Sequence, residues 1–268
     1  MNITQIEAAA ARLQGHARVT PLLSSPFLDE IAGRRVFVKA ECLQHTGSFK
    51  YRGAYSALSA LATETRAQGV IAFSSGNHAQ GVAYAARQHG VPAVIIMPSD
   101  APKLKIANTR AYGAEVILYD RASQDRDALG ADLAQKRGLT LIRPYDEPMV
   151  IAGQASVGLE IAEQAVEAGI SAADVLVCCG GGGLTAGVAL ALEANCEFAN
   201  FYCAMAYPGS KLYAMAIEKG WDLPDSWIGY SQHSYETMPL RTDVLTSAEV
   251  LEFRDQAFMN YFSNPGYL

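Results

Sequence analysis

The sequence predicts an α/β protein with a doubly wound parallel sheet, on three observations. Short β-branched or apolar runs alternate with amphipathic helical runs between residues 70 and 143, which is typical of parallel strands joined by helical crossovers. A further apolar run at 175–179 leads into four consecutive glycines and a helical run. Half of the 268 residues are hydrophobic, so a sizeable core is feasible.

The composition favours a soluble protein that acts on small molecules. A formal net charge of −6, without any basic run, argues against a nucleic-acid partner. The five cysteines have neither a zinc spacing nor a disulfide pattern, which indicates a reducing cytoplasm. No charged and apolar leader is present, and no apolar run reaches the ~18 residues of a membrane span. We therefore expect a cytoplasmic protein without a membrane partner.

The first elements lead the chain to a lysine. Residues 3–13 have apolar positions at helical spacing, and Thr20-Pro21-Leu22 then turns the chain into an extended segment. Residues 35–40 are β-branched and half-alternating, which predicts a strand. A loop after this strand leads to Lys50, which lies at the beginning of a predicted helix over 48–63.

Lys50 follows a Thr-Gly-Ser sequence that suits a loop entering a helix. The positive end of the helix dipole and desolvation by neighbouring aromatic side chains both favour its neutral, nucleophilic amine. Taken alone, residues 46–53 are better explained by an ordinary solvated lysine in the first turn of a helix. The function of Lys50 therefore depends on the rest of the chain.

Strands and helices then alternate strictly. The predicted strands are 70–73, 93–97, 115–119 and 139–143, and the helices between them are 77–88, 103–111 and 123–136. Such a sheet places its binding loops at the carboxyl ends of the strands. A helix over 150–167, the apolar strand 175–179 and a helix over 184–193 follow.

Four glycines, Gly180, Gly181, Gly182 and Gly183, lie between a predicted buried strand and a predicted helix. Their backbone amides can converge on a phosphate at the helix N-terminus with no side chains in the way. A flexible turn is the alternative, but ordering four glycines costs chain entropy, which favours anion binding. The run is neither a dinucleotide fingerprint nor a Walker loop, so the phosphate should belong to a smaller cofactor.

Residues 74–78 also lie between the end of a predicted strand and the start of a predicted helix. Two hydroxyls, an amide and free helix N-terminal amides together suit a carboxylate ligand. Any one of these residues could simply cap the helix, and a lone His78 would more often be a satisfied polar residue. As a group, in a chain that also has an anion loop, they predict a binding site.

With these three loops in order, the sequence resembles the fold-type II family of pyridoxal-phosphate enzymes, in its threonine/serine dehydratase and serine racemase branch. HTGSFKYRGA is similar to the lysine motif of that family, SSGNHAQG to its substrate and cofactor loop, IAGQASVGLEI to its helix-opening motif, and GGGGLTAG to its phosphate loop. The form of the second loop favours this branch over the cysteine synthases. The resemblance covers about residues 1–195.

The resemblance implies a role for each loop. Lys50 is implied to form the Schiff base with pyridoxal 5′-phosphate, with Phe49 against the pyridine ring and Asn77 on its 3′-oxygen. The glycines at 180–183 are implied to hold the phosphate, and Ser75 to lie on the ring face opposite Lys50. The implied substrate carboxylate site consists of Ser74, Ser75, Gly76, Asn77 and His78.

The implied activity is that of an ammonia-lyase, a dehydratase that converts threonine, serine or 3-hydroxyaspartate to a 2-oxo acid and ammonia. Lys50 would remove the α-proton while the cofactor delocalises the charge. Reprotonation from the Ser75 face would instead make the protein a serine-type racemase. A catalytically silent binding protein that keeps the fold is an alternative from a different class.

The implied architecture has two doubly wound open-sheet domains of the tryptophan synthase beta-like kind. The large cofactor domain would comprise residues 1–68 plus 147–268, and a small inserted domain residues 69–146. The active site would lie in the cleft between them, and we expect a homodimer.

The C-terminal part departs from the family after about residue 197. Tyr207-Pro208 stands where family members have a Glu-Pro pair whose glutamate often joins a divalent-metal site, so a metal is doubtful and no metal ligand is predicted. No residue matches the family's partner for the pyridine nitrogen, and Ser263 is the one position worth testing. Residues 245–259 are expected to form an amphipathic helix capped by Thr246 or Ser247, with Glu249 reaching back.

Overall fold

The computed structural model describes residues 1–193, 203–231 and 234–262, and it confirms an α/β fold with a parallel sheet. The helices are α1 (Ile3–Leu13), α2 (Pro26–Ala32), α3 (Lys50–Ala60), α4 (Thr63–Gln68), α5 (Asn77–His89), α6 (Lys103–Ala111), α7 (Arg126–Arg137), α8 (Pro148–Glu167), α9 (Gly183–Glu193), α10 (Lys211–Glu218) and α11 (Ser247–Phe262). The strands are β1 (Leu22–Ser24), β2 (Phe37–Lys39), β3 (Val70–Phe73), β4 (Ala93–Pro98), β5 (Glu115–Tyr119) and β6 (Thr140–Leu141). Short 3-10 turns cover Glu41–Leu43, His45–Gly47 and Trp227–Tyr230.

Strands β3 to β6 form one parallel sheet in the order β5-β4-β3-β6. Val70 lies opposite Ala93 on one side and Thr140 on the other. The predicted alternation over residues 70–143 is confirmed, because α5, α6 and α7 connect the successive strands. Since all four strands run the same way, the residues that follow β3 and β6 leave the sheet at the same edge.

The two faces of the sheet bury alternate residues, as the period of a strand requires. Ile71 and Ile96 pack with Leu129 and Leu133 of α7 on one face. The opposite face forms a larger core with α3 and α5, of which the central members are Val70, Ala72, Ile95, Met97, Tyr51, Leu58, Val82 and Ala86. The sheet is therefore covered on both sides, as expected for parallel strands.

Helix α8 lies between α3 and α9 in contacts that only glycine allows. A Cβ atom on Gly153 would lie 2.5 Å from the backbone oxygen of Arg52 in α3. A Cβ atom on Gly158 would lie 2.8 Å from Cβ of Ala191 in α9, and one on Gly187 would lie 2.9 Å from the backbone nitrogen of Ala155. Backbone contact therefore determines how far α3, which begins at Lys50, lies from α9, which begins at Gly183.

A buried cluster of four charged side chains joins β2, α3 and α8. The side chain of Arg52 is 1% exposed and bonds Glu41 at 2.7 Å and Glu160 at 2.5 Å. Lys39 bonds Glu160 at 2.5 Å. Burial alone would lower the pKa of Arg52, but its hydrogen bonds to Glu41 and Glu160 raise that pKa. The guanidinium therefore stays charged within the cluster.

The N-terminal region contains elements that the sequence did not predict. Strands β1 and β2 pair antiparallel, with Leu22 opposite Lys39, and α2 follows β1 directly. The predicted strand 35–40 is confirmed at its centre as β2. The predicted helix 48–63 is confirmed from 50 to 60, after which α4 begins as a separate helix.

The predicted strand at 175–179 is wrong. This segment forms no ladder within the described chain, and Leu176 is 82% exposed. A parallel strand needs neighbouring strands to accept and donate its backbone hydrogen bonds, and an apolar run carries no information about whether they exist. The part of the chain that the structure describes has one parallel sheet, so it does not form the second of the two predicted open sheets.

The chain forms two compact units: residues 1–172 with 177–195, and residues 173–176 with 196–268. The predicted division into 1–68 plus 147–268 and 69–146 follows a different boundary and stays a prediction. None of the described helices is long and apolar enough to cross a membrane. Over the same residues, no group of three or more His, Cys, Asp or Glu side chains could hold a metal ion.

The second unit has a small core of its own, formed by Ala206, Ala216 and Leu240. Helix α11 confirms the predicted helix and its cap. Thr246 Oγ1 accepts from the backbone N–H of Glu249 at 3.2 Å, and Glu249 Oε2 accepts from that of Thr246 at 2.8 Å, which is a capping box. The prediction for Ser263 lies outside the described residues.

Candidate active site

Lys50 is the first residue of α3, and Ser48 and Phe49 separate it from the 3-10 turn His45–Gly47. Its Nζ donates to the backbone oxygen of Pro144 at 2.5 Å and lies 5.2 Å from the centre of the Phe49 ring. Burial lowers the pKa of Lys50. Within residues 1–193, no carboxylate pairs with this amine. Lys50 is therefore not the ordinary solvated lysine that residues 46–53 alone favoured.

The loop between β6 and α8 connects Lys50 to the glycine run, and sequence reasoning missed it. The carbonyl of Pro144 holds the Lys50 amine. The ring of the next residue, Tyr145, packs on Gly181, where a Cβ atom would overlap it. The available signal was position, because this loop follows the carboxyl end of a predicted parallel strand.

The glycine run enters α9, whose first residue is Gly183. Gly182 has a φ of 79°, a left-handed conformation that disfavours other residues. A Cβ atom on Gly183 would lie 3.0 Å from Oε1 of Gln154 in α8. In the first turn of α9, Thr185 Oγ1 is buried without a hydrogen-bond partner among the described residues. The glycine run is thus closely packed, and the first turn of the helix that follows it has a buried hydroxyl without a partner in the described chain.

The loop 74–78 leaves the sheet at the carboxyl end of β3. The Ser74 hydroxyl accepts from the backbone N–H of Gly76 at 3.2 Å. Asn77 begins α5, and its Oδ1 accepts from Lys105 Nζ at 3.0 Å. Ser75 is exposed. The hydroxyl of Ser75 is therefore accessible, whereas the side chains of Ser74 and Asn77 already have partners.

Ser74 and Ser75 line a small surface depression. Two arginines, Arg121 and Arg126, line the same depression. The Arg126 guanidinium lies 5.1 Å from the centre of the Phe73 ring, and Arg121 bonds Asp100 at 2.9 Å. The Arg126 guanidinium also lies 3.5 Å from the carboxylate of Asp127, so each arginine has a carboxylate partner that an anionic ligand at this place would share.

His78 is buried behind the loop, with 2% of its surface exposed. Its Nε2 lies 3.0 Å from the backbone oxygen of Ile142. Because a carbonyl oxygen only accepts, Nε2 carries the proton, and Nδ1 is left without a partner in the described chain. Burial, and to a smaller degree the charge of Lys50, lower the pKa of His78 to about 4. The imidazole is therefore neutral at pH 7.

Acid is expected to destabilise this protein through His78. A group whose pKa is lower in the folded state stabilises the fold above its unfolded value of 6.5, and that stabilisation is lost as the pH falls towards 4. The loss amounts to about 3 kcal/mol. Urea unfolding at pH 7 and pH 4.5 should show a smaller pH effect in His78→Asn than in the parent. Equal pH effects would exclude His78 as the cause, since His45 and His89, whose pKa values are also lowered, remain in both proteins.

The observed residues suit pyridoxal phosphate, the cofactor that the resemblance implies. A half-buried amine of lowered pKa lies at Lys50. The glycine run at 180–183 leads into the N-terminus of a helix, which is a common phosphate site. The buried polar atoms without partners in the described chain include Ser48 Oγ, His78 Nδ1, Gln154 Oε1 and Nε2, and Thr185 Oγ1. Such atoms indicate a ligand that completes their hydrogen bonds.

Comparison with known proteins agrees with the family that the sequence resembles. The family model described as "Pyridoxal-phosphate dependent enzyme" matches residues 13–249. An L-threo-3-hydroxyaspartate ammonia-lyase of Pseudomonas sp is 51% identical over 187 residues, which are 69% of this chain and 57% of the relative. A serine racemase of Schizosaccharomyces pombe is 44% identical over 196 residues, 72% of this chain and 59% of the relative. The crystal structure of a threonine deaminase from T.th. superposes with a TM-score of 0.68 at 47% identity, over 72% of this chain and 61% of that one.

The chain spans less than two thirds of each of these proteins. The matched residues nevertheless include at least 69% of the chain itself in each case. The three names differ in substrate and outcome, but each is the name of a protein that acts on an amino acid.

Proposed function

Because the chain belongs to the family of pyridoxal-phosphate dependent enzymes, we propose that it is an ammonia-lyase that converts a small 3-hydroxy amino acid to a 2-oxo acid and ammonia. The substrate would be threonine, serine or 3-hydroxyaspartate. The observation that carries this proposal is the half-buried amine of Lys50, which has a lowered pKa and is linked through Pro144 and Tyr145 to the glycine run.

Each candidate residue would have a separate role in this reaction. Pyridoxal phosphate, when bound, delocalises the negative charge that forms as the substrate loses its α-proton. Lys50 would bond to the cofactor and then act as the base for that proton, and a lowered pKa increases its neutral fraction. Phe49 would lie against the pyridine ring and Asn77 on its 3′-oxygen. The glycines at 180–183 would bind the phosphate, with the first amides of α9 as donors.

The loop 74–78 would hold the substrate carboxylate. Its backbone amides at the start of α5 are suitable donors, together with the hydroxyls of Ser74 and Ser75. The neutral His78, buried behind the loop, keeps a second positive charge away from Lys50. The lowered pKa of Lys50 therefore has burial as its cause and needs no charge on His78.

Among the three substrates, the depression beside Ser74 and Ser75 favours 3-hydroxyaspartate. Arg121 and Arg126 line it, and an arginine fork suits a second carboxylate, which serine and threonine lack. Two of the relatives, from Pseudomonas sp and Saccharomyces cerevisiae, are named L-threo-3-hydroxyaspartate ammonia-lyase.

The test is 2-oxo acid release by the purified full chain with pyridoxal phosphate, measured on L-threo-3-hydroxyaspartate, L-threonine and L-serine. We expect the highest kcat/KM on 3-hydroxyaspartate. Arg126→Gln should lower that value by about tenfold or more and leave the value on threonine within about twofold, because one charged hydrogen bond contributes about 1.5–3 kcal/mol.

The matched control is Arg110→Gln, an exposed arginine at the end of α6 that does not line the depression. A loss on threonine equal to the loss on 3-hydroxyaspartate would contradict the assignment of the second carboxylate to Arg126. Cofactor uptake without any oxo acid would contradict the lyase and favour a silent binding protein.

Serine-type racemisation is the second candidate, because the exposed hydroxyl of Ser75 is free to act as the acid on the face opposite Lys50. Formation of D-serine from L-serine in the same assay would identify it. We also propose a homodimer, a cytoplasmic location, no divalent metal, and a division into a large domain of 1–68 plus 147–268 and a small domain of 69–146.

A further inference from the structure

Gln154 is a fully buried polar residue that none of the roles above uses. It lies in α8 and is 0% exposed. Neither Oε1 nor Nε2 has a hydrogen-bond partner among the described residues. An unpaired buried amide destabilises the folded state, and an apolar side chain of the same shape would avoid this cost. The presence of glutamine therefore indicates a partner that is present when the protein works.

The amide of Gln154 lies between the two halves of the candidate site. A Cβ atom on Gly53, in the first turn of α3, would lie 3.0 Å from Nε2. A Cβ atom on Gly183, the first residue of α9, would lie 3.0 Å from Oε1. The oxygen and nitrogen of such an amide are interchangeable by a flip, so either can face Gly183. Gln154 therefore connects the helix that carries Lys50 with the last glycine of the run.

A second observation at the same place also indicates a ligand. Thr185 Oγ1, in the first turn of α9, is buried and has no partner within residues 1–193. A hydroxyl and an amide are both hydrogen-bond donors, and they flank the free amides at the N-terminus of a helix of 11 residues. This combination suits an anion with several acceptor oxygens, such as a phosphate monoester.

We propose that Gln154 is a positioning residue for the phosphate loop, which donates its amide hydrogen bond to residues 180–183 once a phosphate monoester orders them. This inference rests on the proposed function, because the phosphate is that of pyridoxal phosphate. On this proposal, the buried amide of Gln154 gains a hydrogen-bond partner only when the cofactor is bound.

The test compares pyridoxal phosphate with pyridoxal, which lacks the phosphate, in titrations of the cofactor-free full chain followed by absorbance. Gln154→Met keeps the shape and removes the polar atoms. We expect its Kd for pyridoxal phosphate to rise about tenfold, as for the loss of one hydrogen bond that holds the phosphate loop in its bound form, and its Kd for pyridoxal to change less than about twofold. The Tm of the cofactor-free variant should be equal or higher, because the unpaired amide is gone.

The control is Gln88→Met, an exposed position in α5, which should change neither affinity. Equal weakening of both ligands by Gln154→Met would show a packing role only and would overturn the proposal, as would an unchanged affinity for pyridoxal phosphate. If Gln154→Met does not fold, Gln154→Glu serves instead, since its carboxylate repels the phosphate and should weaken pyridoxal phosphate alone. A parent protein that binds neither ligand overturns the proposed function itself, which separates the two failures.

Discussion

Replacing Lys50 with alanine is expected to lower turnover on the order of a thousandfold or more. If Lys50 has the proposed roles, the variant loses both the covalent attachment to the cofactor and the base for the α-proton. Lys39 cannot substitute because it lies in the buried charge cluster, and Lys105, whose Nζ already bonds Asn77, is the nearby lysine that peptide mapping must distinguish from Lys50. Steady-state oxo-acid release measures the loss. Borohydride reduction of the parent, followed by peptide mapping, should find the cofactor on Lys50.

The matched control is Lys103→Ala, an exposed lysine at the beginning of α6. It should keep the activity of the parent within about twofold, since it contacts none of the loops. If Lys50→Ala retains more than about a tenth of the parent's turnover, or if reduction labels a different lysine, the assignment of Lys50 is wrong.

Arg52→Met is expected to lower the free energy of unfolding by about 3–5 kcal/mol. The substitution leaves the carboxylates of Glu41 and Glu160 buried with less compensating charge. Lys39 can compensate only part of this, because it bonds Glu160 and not Glu41. Urea unfolding measures the change, with the midpoint falling and the slope unchanged.

Arg137→Met is the control for this prediction. Arg137 bonds Glu115 at 2.7 Å, but both side chains are about half exposed, so its loss should cost less than about 1 kcal/mol. If the two substitutions have equal effects, the four charged side chains do not stabilise the fold through burial. A large effect of Arg52→Met would also lower cofactor affinity, because Arg52 follows Lys50 and Tyr51 in the first turn of α3.

The sequence predicted local structure well and long-range pairing poorly. Alternating apolar runs were sufficient for β3 to β6, because each strand is followed by a helix whose own apolar face must pack on the sheet. The same reasoning failed at 175–179, where an equally apolar run has no neighbouring strand in the described residues. Strand periodicity reports burial, whereas a ladder also requires a partner.

In the candidate site too, sequence motifs identified some residues and missed others. Glycine, serine and lysine motifs located residues 50, 74–78 and 180–183, and the structure places all of them in one compact unit. Pro144 and Tyr145 were missed because their contribution is a backbone oxygen and a ring packed on Gly181, neither of which has a sequence pattern. Gln154 was part of a recognised motif, but its unpaired amide is visible only in three dimensions.

The glycine contacts of α8 with α3 and α9 fix a distance that substitutions elsewhere in the chain should not change. Because Gly153 and Gly187 bring backbone against backbone, the spacing between α3, which begins at Lys50, and α9, which begins at Gly183, does not depend on side-chain rotamers. Interiors packed in this way resist compression, so that spacing should tolerate changes elsewhere. Substitutions at Arg121 and Arg126 should therefore leave this spacing unchanged, whereas a single methyl group added at Gly153 would alter it.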